Sequence, residues 1–231
     1  MNDLNHLSPV ITVDGPSGVG KGTLAMQLAD ALGWHFLDSG SLYRLTGLSA
    51  HNQQIDFANH QQLADVAAHL DVQFLRDSQG GLQILLASED VTAEIRTEQV
   101  GNLASQVAPV AEVRQALFQR QRDFQLPPGL VADGRDMGTV VFPGAELKLF
   151  LTASAEERAK RRYIQLKEKG VDVSIARLAE EVRQRDERDT NRSIAPLCPA
   201  DDAVMIDSTE MTIEEVFESA MTYVRDRGLN L

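Results

Sequence analysis

The segment Gly15-Pro16-Ser17-Gly18-Val19-Gly20-Lys21-Gly22-Thr23 carries the chain's clearest chemistry. Its four glycines permit backbone angles that other residues resist. Such a loop can turn its amide N–H groups inward around phosphate oxygens. A helix beginning at its end would offer its positive pole to the same anion, with Lys21 reaching the outer phosphates. The usual pattern places Ser or Thr directly after the lysine, whereas here Gly22 intervenes before Thr23. Direct contact between a hydroxyl and magnesium is therefore left open. A glycine-rich turn with a solvated lysine is the bland alternative. It is disfavoured by context, because an apolar strand precedes the segment and a helical pattern follows it.

Two further groups of charge stand out. Asp133, Arg135 and Asp136 fall just past a short apolar run, where strand ends of open α/β sheets bind ligands. Asp133-Gly134 also reads as an ordinary turn, and Arg135–Asp136 as a local ion pair. Arg185, Arg188, Asp189 and Arg192 have spacings that put them largely on one face of a helix. Three cations there could clamp phosphates, leaving Asp189 for a sugar hydroxyl. A solvated face with i,i+4 pairs is the plainer reading. Between residues 158 and 192 lie 11 of the 22 lysines and arginines, on a chain of net charge −12. A cation cluster on an anionic body suits a small, highly charged ligand and argues against broad nucleic-acid binding.

Elements that could position these groups can be read from the pattern. Residues 9–14 form a buried strand, 22–32 a helix ended by Gly33, and 34–37 a second strand. Helices follow at 41–49 and 60–69. Residues 70–96 break the alternation and read as an inserted antiparallel unit, with a turn at Ser78–Gly81 and a third short strand or turn near 89–95. A long helical stretch over 99–125 breaks near Pro109. Strands are expected at 129–133, 147–152 and 203–207, and helices at 155–169, 174–189 and 212–227. The alternation predicts an α/β fold of the P-loop NTPase type, a parallel sheet flanked by helices, with a small antiparallel insert and a helical lid.

With 231 residues the chain can fill one such domain. We expect a core of 9–50, 129–157 and 193–231, a region with the antiparallel insert at 51–128, and a lid at 158–192. A single cysteine, Cys198, excludes an internal disulfide. His6, His35, His51, His60 and His69 lack metal-ligand spacing, and Trp34 and Met205 read as core. No run of about 18 apolar residues and no signal-like start is present, so a cytoplasmic location without a membrane partner is expected.

GPSGVGKGT, DSGSLYR at 38–44, DGRDMGTVVFPGA at 133–145 and RDERDTNRSIAPL at 185–197 together resemble the bacterial cytidylate kinases, over about residues 10–223. That family carries the same Gly-Lys-Gly-Thr form of the loop, and its small antiparallel insert enlarges the monophosphate-binding region. The resemblance implies phosphoryl transfer from ATP, with Mg, to CMP or dCMP, by a monomer. It implies that Ser39, Tyr43 and Arg44 hold the acceptor, with Arg44 and Arg135 on its phosphate. Ser39 also reads as a helix N-cap. By the same resemblance Asp136 accepts from the cytosine amine, with Ser105 and Arg114 at the acceptor edge. Arg185 and Asp189 meet the pentose, and Arg192 bridges the two phosphates. Asp133 and Arg188 join the substrate-binding set, and Lys21, Arg135 and Arg192 the catalytic one.

These residue types suit the reaction. Two nucleotides bring many negative charges together, which arginines offset. The nucleophile is a phosphate oxygen already ionised, so no protein base is needed and positioning carries the rate. Rival readings are a similar kinase acting on UMP, AMP or a small metabolite such as shikimate, a GTPase-like switch, and an inactive scaffold. The switch is disfavoured because no Asn-Lys-x-Asp motif occurs, and the scaffold because Lys21 and the arginines are intact. Of the arginines at 158, 161 and 162, most are expected to face solvent.

Overall fold

The computed structural model describes residues 8–76, 82–168 and 170–229, so the expected turn at Ser78–Gly81 and Lys169 lie outside the described residues. The chain divides into two compact units. The first holds residues up to 37 and from 122 onward, the second residues 38–121.

In the first unit, β1 (Val10–Asp14), β2 (His35–Asp38), β6 (Leu130–Asp133), β7 (Leu147–Thr152) and β8 (Val204–Asp207) form one sheet in the order β2-β6-β1-β7-β8. β1 pairs parallel with β6 and β7, and β7 with β8. All five residues of β1 are buried, as a central strand covered on both faces requires. Alternation divides them. Ile11 and Val13 join the main core, while Thr12 and Asp14 lie on the other side, beside Gly138. The core face is filled by α1 (Lys21–Leu32), through Leu24, Leu28 and Leu32, and by α8 (Ile213–Asp226), through Val216, Ala220 and Val224. Their i, i+4 spacing lines one stripe of each helix. Gly33 closes α1 in a left-handed conformation, and α8 opens with a reciprocal capping box between Thr212 and Glu215. Trp34 packs against this core, but Met205 is 52% exposed. Alternation along β8 turns Val204 and Ile206 to the core and Met205 to the other face, which an unbroken apolar run does not reveal.

α6 (Ala155–Glu168) and α7 (Ile175–Thr190) also belong to this unit and pack on each other. A feature that the sequence pattern does not announce is a single π-helical turn at Met137–Val141, directly after β6 and Asp136. Such turns gather at functional sites.

The second unit contains α2 (Ser39–Asn52), α3 (His60–Ala68), α4 (Glu98–Val107) and most of α5 (Ala111–Arg122). The expected insert is present as the antiparallel sheet β3 (Val72–Arg76), β4 (Leu82–Leu86) and β5 (Glu89–Asp90), followed by a 3-10 turn at Glu94–Arg96. The long helical stretch is indeed two helices, α4 and α5. The sequence pattern assigns residues 39–50 to the core, yet they group with the second unit. α2 packs tightly on α4, where a Cβ at Gly47 would lie 2.9 Å from the carbonyl carbon of Leu103.

Candidate active site

The phosphate loop begins where β1 ends. Gly15 has φ 145°, and a side chain there would strike the Leu151 carbonyl oxygen at 2.2 Å, so the loop can pass β7 only as glycine. Gly20 caps α1 with φ 100° and brings Lys21 to the first helical position. Residues 15–23 thus adopt the expected strand–loop–helix arrangement, with Thr23 exposed in the first turn.

Lys21 folds back over the loop. Its Nζ donates to the Pro16 carbonyl at 2.9 Å and stands 3.9 Å from Asp133 Oδ1, with the side chain only 9% exposed. Burial lowers its pKa. Asp133 and Asp14 resist that shift, while the charges of Arg135 and Arg185 add to it. Lys21, Asp133, Arg135 and Arg185 therefore share one electrostatic neighbourhood. The intervening Gly22 now has a structural reason: a Cβ there would sit 3.2 Å from Asp133 Oδ2. The glycine keeps room for the carboxylate beside the lysine.

Asp133 ends β6, Arg135 and Asp136 follow it, and Asp136 is buried. The plainer alternative, a local pair of Arg135 with Asp136, does not describe the ion pairing of Arg135. Its Nε donates instead to Asp189 Oδ2 at 2.5 Å, 54 positions away on α7. Arg192 donates to Asp189 Oδ1. Asp189 is therefore not left over for a sugar hydroxyl as a bare carboxylate: both oxygens are engaged and its side chain is 2% exposed. Burial alone would raise its pKa, but Arg135 and Arg192, with help from Arg185, hold it below the usual carboxylate range.

The one-face expectation for the α7 cations holds only in part. Arg188 is exposed and its Nε donates to the Gln184 carbonyl at 3.3 Å. One residue of helix is about 100° of rotation, which turns Arg188 away from Asp189. Arg192 lies beyond the last helical residue, Thr190, and reaches Asp189 from the loop that follows.

Sequence reasoning missed several supporting residues. Arg158, one of three arginines of which most are expected to face solvent, is 4% exposed. It donates to the Ser17 carbonyl of the phosphate loop at 3.1 Å, to Ala153 O at 3.0 Å and to Asp186 Oδ1 of α7 at 2.9 Å. Arg161 donates to Ser208 O at 2.6 Å and to Val19 O of the loop at 3.4 Å. α6 and α7 are thus tied to the phosphate loop through Arg158 and Arg161. Asp14 was also missed. Its carboxylate accepts from the amides of Met137 at 2.9 Å and Gly138 at 2.7 Å. Burial raises its pKa to about 6 against those two bonds. One signal was available, an acid ending an otherwise apolar strand, but nothing local named its partners.

In the second unit, α2 is capped by Asp38, whose side chain accepts from the Ser41 amide at 3.0 Å, rather than by Ser39. Ser39 is the first helical residue and donates to Gln121 Oε1 at 2.7 Å, both side chains being buried. Tyr43 lies beneath the Arg114 guanidinium, 5.8 Å from ring centroid to charge. Arg44 donates to the carbonyls of Ile95 at 2.6 Å and Thr97 at 3.3 Å, over Gly101. Ser105 donates to the Gly101 carbonyl one turn back at 3.0 Å. Five of the expected residues therefore gather on α2, α4 and α5.

A glycine-rich loop joining a parallel central strand to a helix, with its lysine folded over the loop and arginines grouped beside it, defines a P-loop kinase. The family model for cytidylate kinase matches residues 11–226. Cytidylate kinases of Pseudomonas fluorescens (strain Pf0-1) and Stutzerimonas stutzeri (strain A1501) are 59% and 60% identical to this chain. The first alignment covers 98% of this chain and 99% of the relative, and the second 96% and 97%. The cytidylate kinase of Enterobacter sp. (strain 638) is 56% identical over 95% of this chain and 96% of its own length. The chain belongs to the cytidylate kinase family.

Proposed function

We propose that the protein transfers the γ-phosphoryl group of ATP to the phosphate of CMP or dCMP. The observation that carries this reading is in the first unit. Arg135 Nη2 is buried without a hydrogen-bond partner, on a guanidinium already fixed by Asp189. A buried orphan donor on a cation is costly, and a phosphate oxygen is the acceptor that best relieves it. In this reading an acceptor phosphate oxygen attacks the γ-phosphorus, a new P–O bond forms, and the bond to the β,γ-bridging oxygen breaks to release ADP. Lys21 and the loop amides of residues 15–23 hold the β- and γ-phosphates. Arg135 and Arg192 face the charge that builds on the group in flight. Asp189 acts by fixing both arginines, so they need not reorganise during transfer.

Asp136 accepts from the exocyclic amine of cytosine, which uracil lacks. The resemblance assigns Ser39, Tyr43, Arg44, Ser105 and Arg114 to the acceptor nucleotide, and Asp133, Arg185 and Arg188 to the substrate-binding set. Arg188 is the weakest of these, since it is exposed and turned from Asp189. Among the described residues no group of three His, Cys, Asp or Glu could hold a metal by itself. Magnesium would arrive on the ATP phosphates, with the Thr23 hydroxyl and Asp133 as hard oxygen donors of the chain. Magnesium would offset phosphate charge. α6 and α7 close as a lid and exclude water. No helix among the described residues is long and apolar enough to cross a membrane, and we take the enzyme to be a cytoplasmic monomer.

A coupled ADP-release assay with CMP, dCMP, UMP and AMP tests the assignment. Turnover should be highest with CMP and dCMP. Equal or better turnover of UMP or AMP would overturn it.

A further inference from the structure

The π turn at Met137–Val141 starts one residue after Asp136, and Asp136 makes no capping bond to it from its own side chain. An aspartate in that position ordinarily spends its carboxylate on the first amides of the turn. Here Asp14 holds those amides from the neighbouring strand, Oδ1 on Met137 and Oδ2 on Gly138. Meanwhile the Asp136 carbonyl accepts from Val140 at 2.9 Å and Val141 at 3.2 Å. Asp136 is therefore gripped on both sides, its carbonyl by the turn and the two amides after it by Asp14. The turn lies directly on β1: a Cβ at Gly138 would come within 2.9 Å of Thr12 Oγ1 and 3.3 Å of Asp14 Oδ2.

We propose that Asp14 is a positioning residue for acceptor selectivity, capping the π turn in place of Asp136 and so fixing the backbone from which Asp136 meets the base. The proposal rests on the reading of Asp136 as the acceptor of the cytosine amine. An ionised carboxylate suits the role because both its oxygens accept. Asparagine at position 14 would turn a donor toward one amide, losing one of the two bonds and releasing one end of the turn.

The test is steady-state kinetics of Asp14→Asn, Asp136→Asn and the double variant, with CMP and UMP varied at saturating ATP and with ATP varied at saturating CMP. Asp14→Asn should lower kcat/KM for CMP about tenfold, the loss of one charge-assisted hydrogen bond. It should narrow the preference for CMP over UMP and change the KM for ATP less than the KM for CMP, since Asp14 bonds the amides of the π turn and reaches the phosphate loop only through its charge beside Lys21. Added to Asp136→Asn, it should have little further effect, because the two act as one unit. Gly138→Ala, which wedges the turn off the carboxylate, should give the same split and serves if Asp14→Asn does not fold.

An equal rise in the KM for ATP would make Asp14 a support of the phosphate loop and overturn the proposal. So would unchanged CMP kinetics in Asp14→Asn or Gly138→Ala, or a full additive loss in the double variant while Asp136→Asn is itself impaired. Unchanged CMP kinetics in Asp136→Asn would instead overturn the reading of Asp136, and the proposal with it.

Discussion

At the scale of single residues, Lys21 and Gly22 show how closely the loop is built. Lys21 is a buried cation whose field is shared with Asp133, Arg135 and Arg185. Lys21→Met should cut kcat by roughly 100-fold or more, the usual loss when one preorganised charge facing a transferring group is removed. Its folded stability should also fall, because the poorly exposed Asp133 carboxylate loses the cation beside it. Kinetics and a thermal melt on the same sample check both halves. Gly22→Ser would restore the commoner loop pattern. Its Cβ would nevertheless crowd Asp133 at 3.2 Å. Displacing that carboxylate to an off-rotamer position costs about 1 kcal/mol. We expect the KM for ATP to rise about fivefold, with no gain in kcat.

Elements are joined by ion pairs that span long sequence distances. Asp189, near the end of α7, holds Arg135 after β6 and Arg192 past the helix. Removing it leaves two poorly solvated cations facing each other. Asp189→Asn should destabilise the fold by about 3 kcal/mol, as broken buried pairs do. It should also lower kcat, because both arginines lose their fixed direction. Denaturant unfolding beside kinetics separates these effects. Arg158 plays the equivalent part for α6, linking α7 through Asp186 to the phosphate loop through Ser17.

Across the whole molecule, two buried carboxylates give opposite dependences on pH. The pKa of Asp14 is raised from the usual 3.8 to about 6 by burial. A raised carboxyl contributes stability that is complete below its unfolded value and is lost as pH climbs through 6. The difference amounts to about 2 kcal/mol between pH 4 and pH 8. Asp14→Asn removes that dependence. Its stability relative to the unaltered protein should improve by about 2 kcal/mol from pH 4 to pH 8, as measured by denaturant unfolding at both values. The pKa of Asp189 is lowered, so its contribution is present above pH 3.8 and disappears as pH falls through its folded value. A flat pH profile for the difference between the two proteins would show that Asp14 is not buried as described.

Local features were open to reading from the chain alone. The glycine loop, the alternation of strands and helices, the break near Pro109 and the antiparallel insert all follow from backbone allowance, turn chemistry and apolar period, which act over a few residues. Four motifs in order also carried the family. Tertiary structure alone decided which charges meet. Arg135 chose Asp189 over its neighbour Asp136, Arg158 turned inward to Ser17 and Asp186, and Asp14 reached across to Met137 and Gly138. An ion pair depends on distance in space, burial and competing partners. None of these is encoded in the spacing of residues that lie 28 to 141 positions apart. The π turn escaped for the same reason, since its first amides are satisfied by a carboxylate from another strand rather than by any residue beside them.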